Sequence, residues 1–254
     1  MLSKNQLKNI TALHSKKHRQ EEQIFIAEGE KMLQELLASD FEVEIVFATV
    51  EWLDIYAPVL SERKIQFQEI PESDLKKISL LSTPNKVLAL VKQKHAEIDR
   101  VSFANSLHLY LDGIRDPGNL GTIIRLAHWF GVSQVICSPD TVEIYNPKTV
   151  QSTMGSIFRV NVLEAELSDI LQDEGSFPVF GALLDGENIY QKQNFTSGIL
   201  VIGNESNGIS SKNLKFISDK VKIPPASESH AESLNAAMAT SIFLSEYLRR
   251  KKYF

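Results

Sequence analysis

The chain has 254 residues and a formal net charge of −5 at pH 7, so it suits one large domain or two small ones and has no overall attraction for nucleic acid. Its single cysteine, Cys137, excludes a disulfide framework and a cysteine-based zinc site and favours a reducing cytoplasm. No apolar run approaches the length that spans a membrane. These bounds predict a cytoplasmic protein with a full-sized core.

The basic residues are unevenly distributed along the chain. Lys16, Lys17 and Arg19 belong to a cluster in the first twenty residues, which contain no acid. Such a cluster can contact a phosphate backbone even when the whole protein is acidic. The alternative is that these residues only solubilise the terminus.

Residues 1–95 show short aliphatic runs alternating with stretches whose apolar residues have helical spacing. The predicted strands are 24–27, 43–48, 65–69 and 87–91, and the predicted helices are 5–13, 30–38, 52–60 and 73–78. This alternation predicts a small α/β domain with parallel strands and helices packed on the sheet.

A polar stretch of mixed charge, residues 92–105, is the best candidate for a linker. Residues 106–254 then repeat the alternation and predict a second α/β domain. Its predicted strands are 107–111, 134–137, 178–183, 199–202 and 221–223, and its predicted helices are 119–130, 147–154 and a long one from residue 236. The apolar stripe of the last helix, made by Leu234, Met238, Ile242 and Tyr247, is either core or a dimer face.

Polar turns follow three of these strands. The first turn, 112–118, leads to Asn119 at a helix start and to Arg125 on the same helix; the second, 203–208, carries Glu205 between two glycines. The third segment includes Ser233 and Asn235. Because ligands of open α/β sheets bind at the carboxyl ends of strands, these turns form the candidate active site. Asn119 and Ser233 have a simpler alternative role as helix caps, and Arg125 as a partner of a surface acid.

Several other chemistries are poorly supported. The glycine spacing after residue 111 does not match a dinucleotide fingerprint, and no phosphate-binding Lys-Ser/Thr loop occurs. The six histidines show no pair at metal-ligand spacing on a predicted helix, so no metal site is expected. His230, Glu232 and Ser233 could suggest a hydrolase, but that serine is not in a nucleophile elbow.

Three segments together resemble the SpoU (TrmH) family of RNA 2′-O-ribose methyltransferases. They are residues 119–125 (NLGTIIR), residues 202–208 (IGNESNG), and the pair Ile223-Pro224 with residues 232–235 (ESLN). The N-terminal residues 16–19, Phe25 and 28–29 also resemble the family's accessory domain, which is similar to a small ribosomal protein that binds RNA. The resemblance covers nearly the whole chain and implies an RNA-binding domain at 1–95 and a methyltransferase domain at 106–254.

The resemblance implies a trefoil-knotted parallel sheet, a bound S-adenosylmethionine and an obligate homodimer with its active site near the interface. By matching position, the residues expected at the reaction centre are Asn119, Arg125, Glu205, Ser233 and Asn235. Those expected to hold the cofactor are Leu183, Gly203, Ile223 and Leu234, and those expected to contact RNA are Lys16, Lys17 and Arg19.

Two departures from the family pattern stand out. The stretch between Pro224 and Glu232 has no glycine and is about two residues longer than usual, and Gln151 stands where many members have arginine. The resemblance therefore leaves the wall of the cofactor pocket at residues 225–231 undefined.

The predicted function is methyl transfer to a ribose 2′-hydroxyl, with ribosomal RNA favoured over tRNA. Arg125 is expected to act by electrostatic positioning, because a guanidinium stays protonated in proteins and is a poor base. The alternatives are a non-catalytic RNA-binding or ribosome-assembly factor with the same fold and, less favoured, a small-molecule hydrolase.

Overall fold

The structure of the chain, a computed structural model, describes residues 1–171, 177–226 and 232–253. The strands are β1 (Ile24–Glu28), β2 (Val43–Ala48), β3 (Phe67–Glu69), β4 (Val87–Lys92), β5 (Leu107–Asp112), β6 (Gln134–Cys137), β7 (Asn161–Glu164), β8 (Val179–Asn188), β9 (Gly198–Gly203) and β10 (Asp219–Lys222). The α-helices are α1 (Lys4–Ala12), α2 (Lys16–Glu22), α3 (Glu30–Leu37), α4 (Val50–Glu62), α5 (Glu72–Ile78), α6 (Pro117–Phe130), α7 (Pro147–Thr153), α8 (Leu167–Ile170), α9 (Ser211–Leu214) and α10 (Ala236–Tyr253).

The chain folds into two compact units, Met1–His95 with Tyr145–Phe158, and Ala96–Ile144 with Arg159–Phe254. The first unit takes up residues 145–158 because α7 packs on β1 and the Tyr145 ring stacks on Phe25, with centroids 4.5 Å apart. The predicted linker also belongs in part to a unit, since Phe103 is buried in the core of the second.

The first unit contains a mixed four-stranded sheet in the order β1-β4-β2-β3. Only β2 and β3 pair in parallel, whereas β4 runs antiparallel to both β1 and β2. The expectation of an all-parallel sheet here is therefore wrong. The sequence pattern predicts which segments are strands and which are helices. It does not predict strand direction, and β4 lies between the earlier strands β1 and β2 and runs antiparallel to both.

The second unit contains a six-stranded sheet in the order β10-β8-β9-β5-β6-β7. Every neighbouring pair in it is parallel, which confirms the predicted α/β parallel-sheet fold. The central strand β9 is aliphatic, and β5 alternates leucines with His108, Tyr110 and Asp112; both strands are almost wholly buried, as expected when helices cover both faces. Parallel pairing brings the carboxyl ends of β5 and β9 to the same edge of the sheet.

Helix α6 begins two residues earlier than predicted. Its N-cap is Asp116, whose side chain accepts the backbone N–H of Asn119, and Pro117 occupies the first helical position. Asn119 is therefore in the first turn and is not the cap, which leaves its side chain available for other contacts. The helix ends, as predicted, at Gly131 in the left-handed conformation.

The last helix, α10, packs on α6 and divides its apolar residues between two faces. Phe243, Leu244 and Tyr247 are buried in the core of the second unit. Met238 is 61% exposed and Leu234, just before the helix, is 51% exposed. The predicted stripe is thus core at one end and solvent-facing at the other. In the described part of the chain, no helix combines the length and apolarity needed to cross a membrane.

His108 lies fully buried on β5, and its ring meets Phe103 edge-to-face at 5.1 Å. Neither ring nitrogen has a hydrogen-bond partner among the described residues. Burial lowers the pKa of His108 below its usual range and outweighs the opposing effects of the nearby Ser102 backbone and of Asp99.

We predict that His108 makes the protein less stable below about pH 6.5, the usual pKa of a histidine in an unfolded chain. The unfolded state takes up a proton there and the folded state does not, so stability falls as pH decreases, by up to about 1.4 kcal/mol per pH unit. Urea unfolding between pH 8 and pH 5 should show a smaller loss of stability for His108→Phe than for the wild type. The exposed variant His18→Phe is the control, and equal losses for all three proteins would contradict the prediction.

Candidate active site

Two polar turns leave the sheet of the second unit side by side. Asp112, the last residue of β5, is the register partner of Gly203, the last residue of β9. The turn after β9 folds back on itself so closely that a Cβ on Gly203 would lie 2.3 Å from the backbone carbon of Gly208. Glycine is therefore required at residue 203, and the backbone there serves the turn geometry.

Three of the predicted reaction-centre residues meet at these turns. Asn119 donates from Nδ2 to Oε1 of Glu205 at 2.8 Å. Asn235 donates from its own Nδ2 to Oδ1 of Asn119 at 3.0 Å. These residues come from α6, the turn after β9 and the start of α10, and they are separated by up to 116 positions in sequence. We call this arrangement the amide–carboxylate chain.

The amide–carboxylate chain has a fixed direction. Oδ1 of Asn235 accepts the backbone N–H groups of Ala237 and Met238, so Asn235 and not Ser233 caps α10. Hydrogen bonds then run in one sense from the N-terminus of α10 through Asn235 and Asn119 to the Glu205 carboxylate. A helix N-terminus carries partial positive charge, which favours the negative charge at the far end of this chain.

Arg125 lies six residues beyond Asn119 on α6, which is about 9 Å along the helix axis. Its side chain is exposed and has no hydrogen bond or ion pair within the described residues. It lines a groove of about 750 Å³ between α6 and α10, together with residues that include Trp129 and Ile242. The structure therefore leaves the Arg125 guanidinium available to a ligand but does not bond it to the amide–carboxylate chain.

Ser233 also stands apart from the amide–carboxylate chain. Its side chain is exposed, and it forms no hydrogen bond within residues 1–171, 177–226 and 232–253. The predicted helix-capping role of Ser233 is wrong, because Asn235 supplies the cap.

The four predicted cofactor residues lie on or after the neighbouring strands β8, β9 and β10. Leu183 and Ile223 are half-buried, and Leu234 is 51% exposed. Leu183 packs against the core cluster that contains Ile209, and Ile223 packs against the separate cluster that contains Ile202 near the end of β9. Aliphatic side chains and a glycine turn at strand ends suit a ligand with a flat apolar ring and a polar edge, such as an adenosyl group. Residues 227–231 of the undefined pocket wall lie outside the described residues.

The basic cluster of the first unit divides in two. Lys16 and Lys17 are exposed on α2, whereas Arg19 is only 2% exposed. Its guanidinium donates to the carbonyl oxygen of Leu13 at 2.7 Å. The expectation that Arg19 contacts RNA does not agree with this burial, and its contacts are those of a structural residue.

Two other chemistries find no support in the described residues. The described residues contain no group of three or more His, Cys, Asp or Glu side chains that could hold a metal ion. Burial raises the pKa of the Cys137 thiol to about 12, so this residue is not an available nucleophile.

Asn204 and Asp112 were not predicted as site residues, although Asn204 ties the turn that carries Glu205 to Gly113 and Asp112 accepts the N–H of Ser210 just beyond that turn. Their position directly at the ends of β9 and β5 was the available signal. Glu205 is the only acid of the turn, whereas Asn204 is one of two asparagines in it and does not stand out by residue type.

Comparison with known proteins agrees with the sequence resemblance. The SpoU rRNA Methylase family profile matches residues 106–245, and the profile of an MRM3-like substrate binding domain matches residues 4–89. A 23S rRNA (guanosine(2553)-2′-O)-methyltransferase of Bacillus subtilis is 31% identical over 247 residues, covering 95% of this chain and 96% of the relative.

Two further relatives extend the comparison. A 23S rRNA (uridine(2479)-2′-O)-methyltransferase of Streptomyces viridochromogenes is 30% identical over 66% of this chain and 61% of the relative. The crystal structure of an AdoMet-bound rRNA methyltransferase from Sinorhizobium meliloti superposes with a TM-score of 0.88 and 29% identity, covering 100% of this chain and 97% of that one. The profile match, the full-length relatives and the parallel sheet lead to one conclusion: the chain belongs to the SpoU rRNA methylase family.

Proposed function

We propose that this protein is a cytoplasmic homodimer that transfers a methyl group from S-adenosylmethionine to a ribose 2′-hydroxyl of ribosomal RNA. The observation that carries the proposal is the amide–carboxylate chain, which fixes Glu205 at the carboxyl ends of parallel strands. Family membership and the rRNA-modifying relatives support RNA as the substrate and rRNA over tRNA. The names of those two relatives specify different nucleosides, guanosine and uridine. We therefore assign no target nucleoside to this chain.

The proposed cofactor site is formed by Leu183, Gly203, Ile223 and Leu234. S-adenosylmethionine supplies an electrophilic methyl group on a sulfonium. The aliphatic side chains would exclude water from the adenosyl group, and the turn at Gly203 would offer it backbone hydrogen-bonding groups. An AdoMet-bound relative with the same fold supports this assignment. We also infer the family's trefoil knot. The strand order β10-β8-β9-β5-β6-β7 requires crossover connections between strands that are not consecutive in the chain, as a knotted sheet does.

In the proposed mechanism, Glu205 orients the ribose by accepting a hydrogen bond from a sugar hydroxyl, since Asn119 occupies only one of its oxygens. Arg125 binds an RNA phosphate and favours alkoxide character on the attacking oxygen. The hydroxyl proton passes to the RNA phosphate or to water. Ser233, exposed beside Asn235, contacts the methyl-donor region. Proximity and alignment supply much of the rate enhancement.

The homodimer is inferred from an apolar surface on α6 and α10. Trp129 is 81% exposed and Met238 is 61% exposed, and both lie on the helices that border the groove containing Arg125. Large exposed apolar groups in one region are typical of an interface between protein chains. A second copy seated there would bury Trp129 and lie next to Arg125, which agrees with an active site near the interface.

We predict that Arg125→Ala lowers kcat for methyl transfer to rRNA by about 100- to 1,000-fold, because the developing negative charge loses its cation. Arg125→Lys should recover part of the activity, since it keeps the charge and loses the planar fork. Tritiated methyl transfer to rRNA and to tRNA measures both turnover and substrate. Thr122→Ala, one turn away on the same groove, is the control. Near-full turnover of Arg125→Ala, or labelling of tRNA alone, would contradict the proposal.

We predict that Lys16→Ala with Lys17→Ala weakens RNA binding and flattens its salt dependence, by roughly 0.7–0.9 in the log–log slope per lost phosphate contact. Lys17 lies 3.8 Å from Glu21 in an exposed pair that is too weak to hold it. Titration of fluorescent RNA at several salt concentrations gives the slope. Lys92→Ala, whose charge is already paired with Glu42, serves as control. An unchanged slope would mean that the two lysines are only a solvated surface.

We predict that the protein has twice its chain mass of 28.6 kDa in solution and that Trp129→Glu shifts it to the monomer. A carboxylate buried at an interface without a partner costs several kcal/mol, enough to separate the chains. Light scattering after gel filtration measures the mass. Val101→Glu, at a residue with the same 81% exposure, should stay dimeric. A monomeric wild type, or a dimeric Trp129→Glu, would refute the proposed interface.

A further inference from the structure

We propose that Asn204 is a positioning residue that holds Glu205 in reach of Asn119. This inference rests on the proposed function, because it gives Glu205 its place at the reaction centre. It concerns a residue that lies in one of the segments carrying the resemblance but was not among the expected site residues and is not part of the amide–carboxylate chain.

Asn204 uses its side chain in two directions. Nδ2 donates to the carbonyl oxygen of Gly113, in the neighbouring turn after β5, at 2.6 Å. Oδ1 accepts the backbone N–H of Ser206 at 2.9 Å and of Asn207 at 3.1 Å. One amide group therefore closes its own turn and ties that turn to the adjacent one.

The backbone of Asn204 closes the same turn from the other side. Its N–H donates to the carbonyl oxygen of Gly208, and its carbonyl oxygen accepts the N–H of Gly208, both at 2.9 Å. Glu205 follows directly and is exposed, as are residues 206–208 of the same turn. An exposed turn of this kind would sample several conformations without internal hydrogen bonds. Asn204 limits that sampling at the residue next to Glu205.

The two turns that Asn204 joins carry the two partners of the Asn119–Glu205 hydrogen bond. The turn after β5 leads through the Asp116 cap into the first turn of α6, where Asn119 lies. The other turn carries Glu205. A second link, from the N–H of Ser210 to the buried carboxylate of Asp112 at 2.7 Å, fixes the base of the Glu205 turn. Because the base of the Glu205 turn is fixed, the Asn204 contact to Gly113 sets how far this turn lies from the turn after β5.

The chemistry of an amide suits this place better than that of a carboxylate. The same side chain must donate to a carbonyl oxygen and accept from two N–H groups, and an amide does this from two separate atoms, whereas a carboxylate can only accept. Asn204→Asp keeps the acceptor for Ser206 and Asn207 but sets a carboxylate oxygen against the carbonyl oxygen of Gly113. Asn204→Ala removes all three contacts.

The experiment compares wild type, Asn204→Ala, Asn204→Asp, Glu205→Ala and the double variant Asn204→Ala/Glu205→Ala. Side-chain amide NMR of ¹⁵N-asparagine-labelled protein reports the Asn119 bond to Glu205. We expect Asn204→Ala to move the Asn119 signal toward its position in Glu205→Ala and to raise amide exchange at Ser206 and Asn207 at least tenfold. Asn204→Asp should move the Asn119 signal while leaving the exchange at residues 206 and 207 closer to wild type.

Methyl-transfer kinetics provide the second readout. Asn204→Ala should lower kcat by roughly 10-fold or more, with a smaller change in KM for RNA, because the binding surface remains and the orientation is lost. In the Glu205→Ala background the same substitution should add less than twofold, since Asn204 acts through Glu205. Asn146→Ala, which removes another asparagine that accepts a backbone N–H, controls for loss of stability.

Either of two results would overturn the inference: an unmoved Asn119 signal in Asn204→Ala, or losses that multiply fully in the double variant. A wild-type protein without methyl transfer would refute the proposed function instead. The NMR and exchange measurements would then still decide whether Asn204 positions Glu205.

Discussion

The hydrogen bonds that run from the start of α10 through Asn235 and Asn119 to Glu205 are the contacts on which the site depends. Each amide can donate at one end and accept at the other, so the direction of one bond sets the direction of the next. The chain starts at backbone N–H groups that a helix leaves without partners and ends at a carboxylate. The same hydrogen-bonded side chains therefore cap α10 and orient the Glu205 carboxylate.

This arrangement requires the parallel sheet of the second unit. Parallel strands release their carboxyl ends at one edge, and the register of Asp112 against Gly203 places the two turns next to each other. The tight turn at Gly203 then brings the chain back within a few residues. Three polar residues that are far apart in sequence meet because the sheet supplies a common edge, as in other open α/β proteins. The first unit has a mixed sheet, and Lys16 and Lys17 are among its exposed cations.

Much of this fold could be predicted, because buried aliphatic runs define strands such as β4 and β9 without ambiguity. The polar turns were also recognisable as the site, since they follow such strands. Strand direction in the first sheet could not be predicted, because periodicity is the same in both directions. Helix α2 was missed because all of its residues are polar. The burial of Arg19 could not be predicted, because residue type does not reveal which way a helical side chain points.

The caps illustrate the same limit at single-residue scale. Asp116 and Asn119 both suit a helix N-terminus, as do Ser233 and Asn235, and composition does not rank neighbours. Only the structure shows that capping falls to Asp116 and Asn235. That choice leaves Asn119 able to bond Glu205, so the assignment of two caps decides how the site is built.

The measurement that tests the central claim most directly is the position of the transferred methyl group. RNA from cells that lack this protein would be incubated with the purified protein and tritiated S-adenosylmethionine, then hydrolysed with alkali. A ribose 2′-O-methyl group blocks cleavage at its own nucleotide, so the account predicts label in alkali-resistant dinucleotides from rRNA. Label in mononucleotides would place the chemistry on a base and contradict the account. No label from protein that binds the cofactor would favour an RNA-binding factor that keeps the fold.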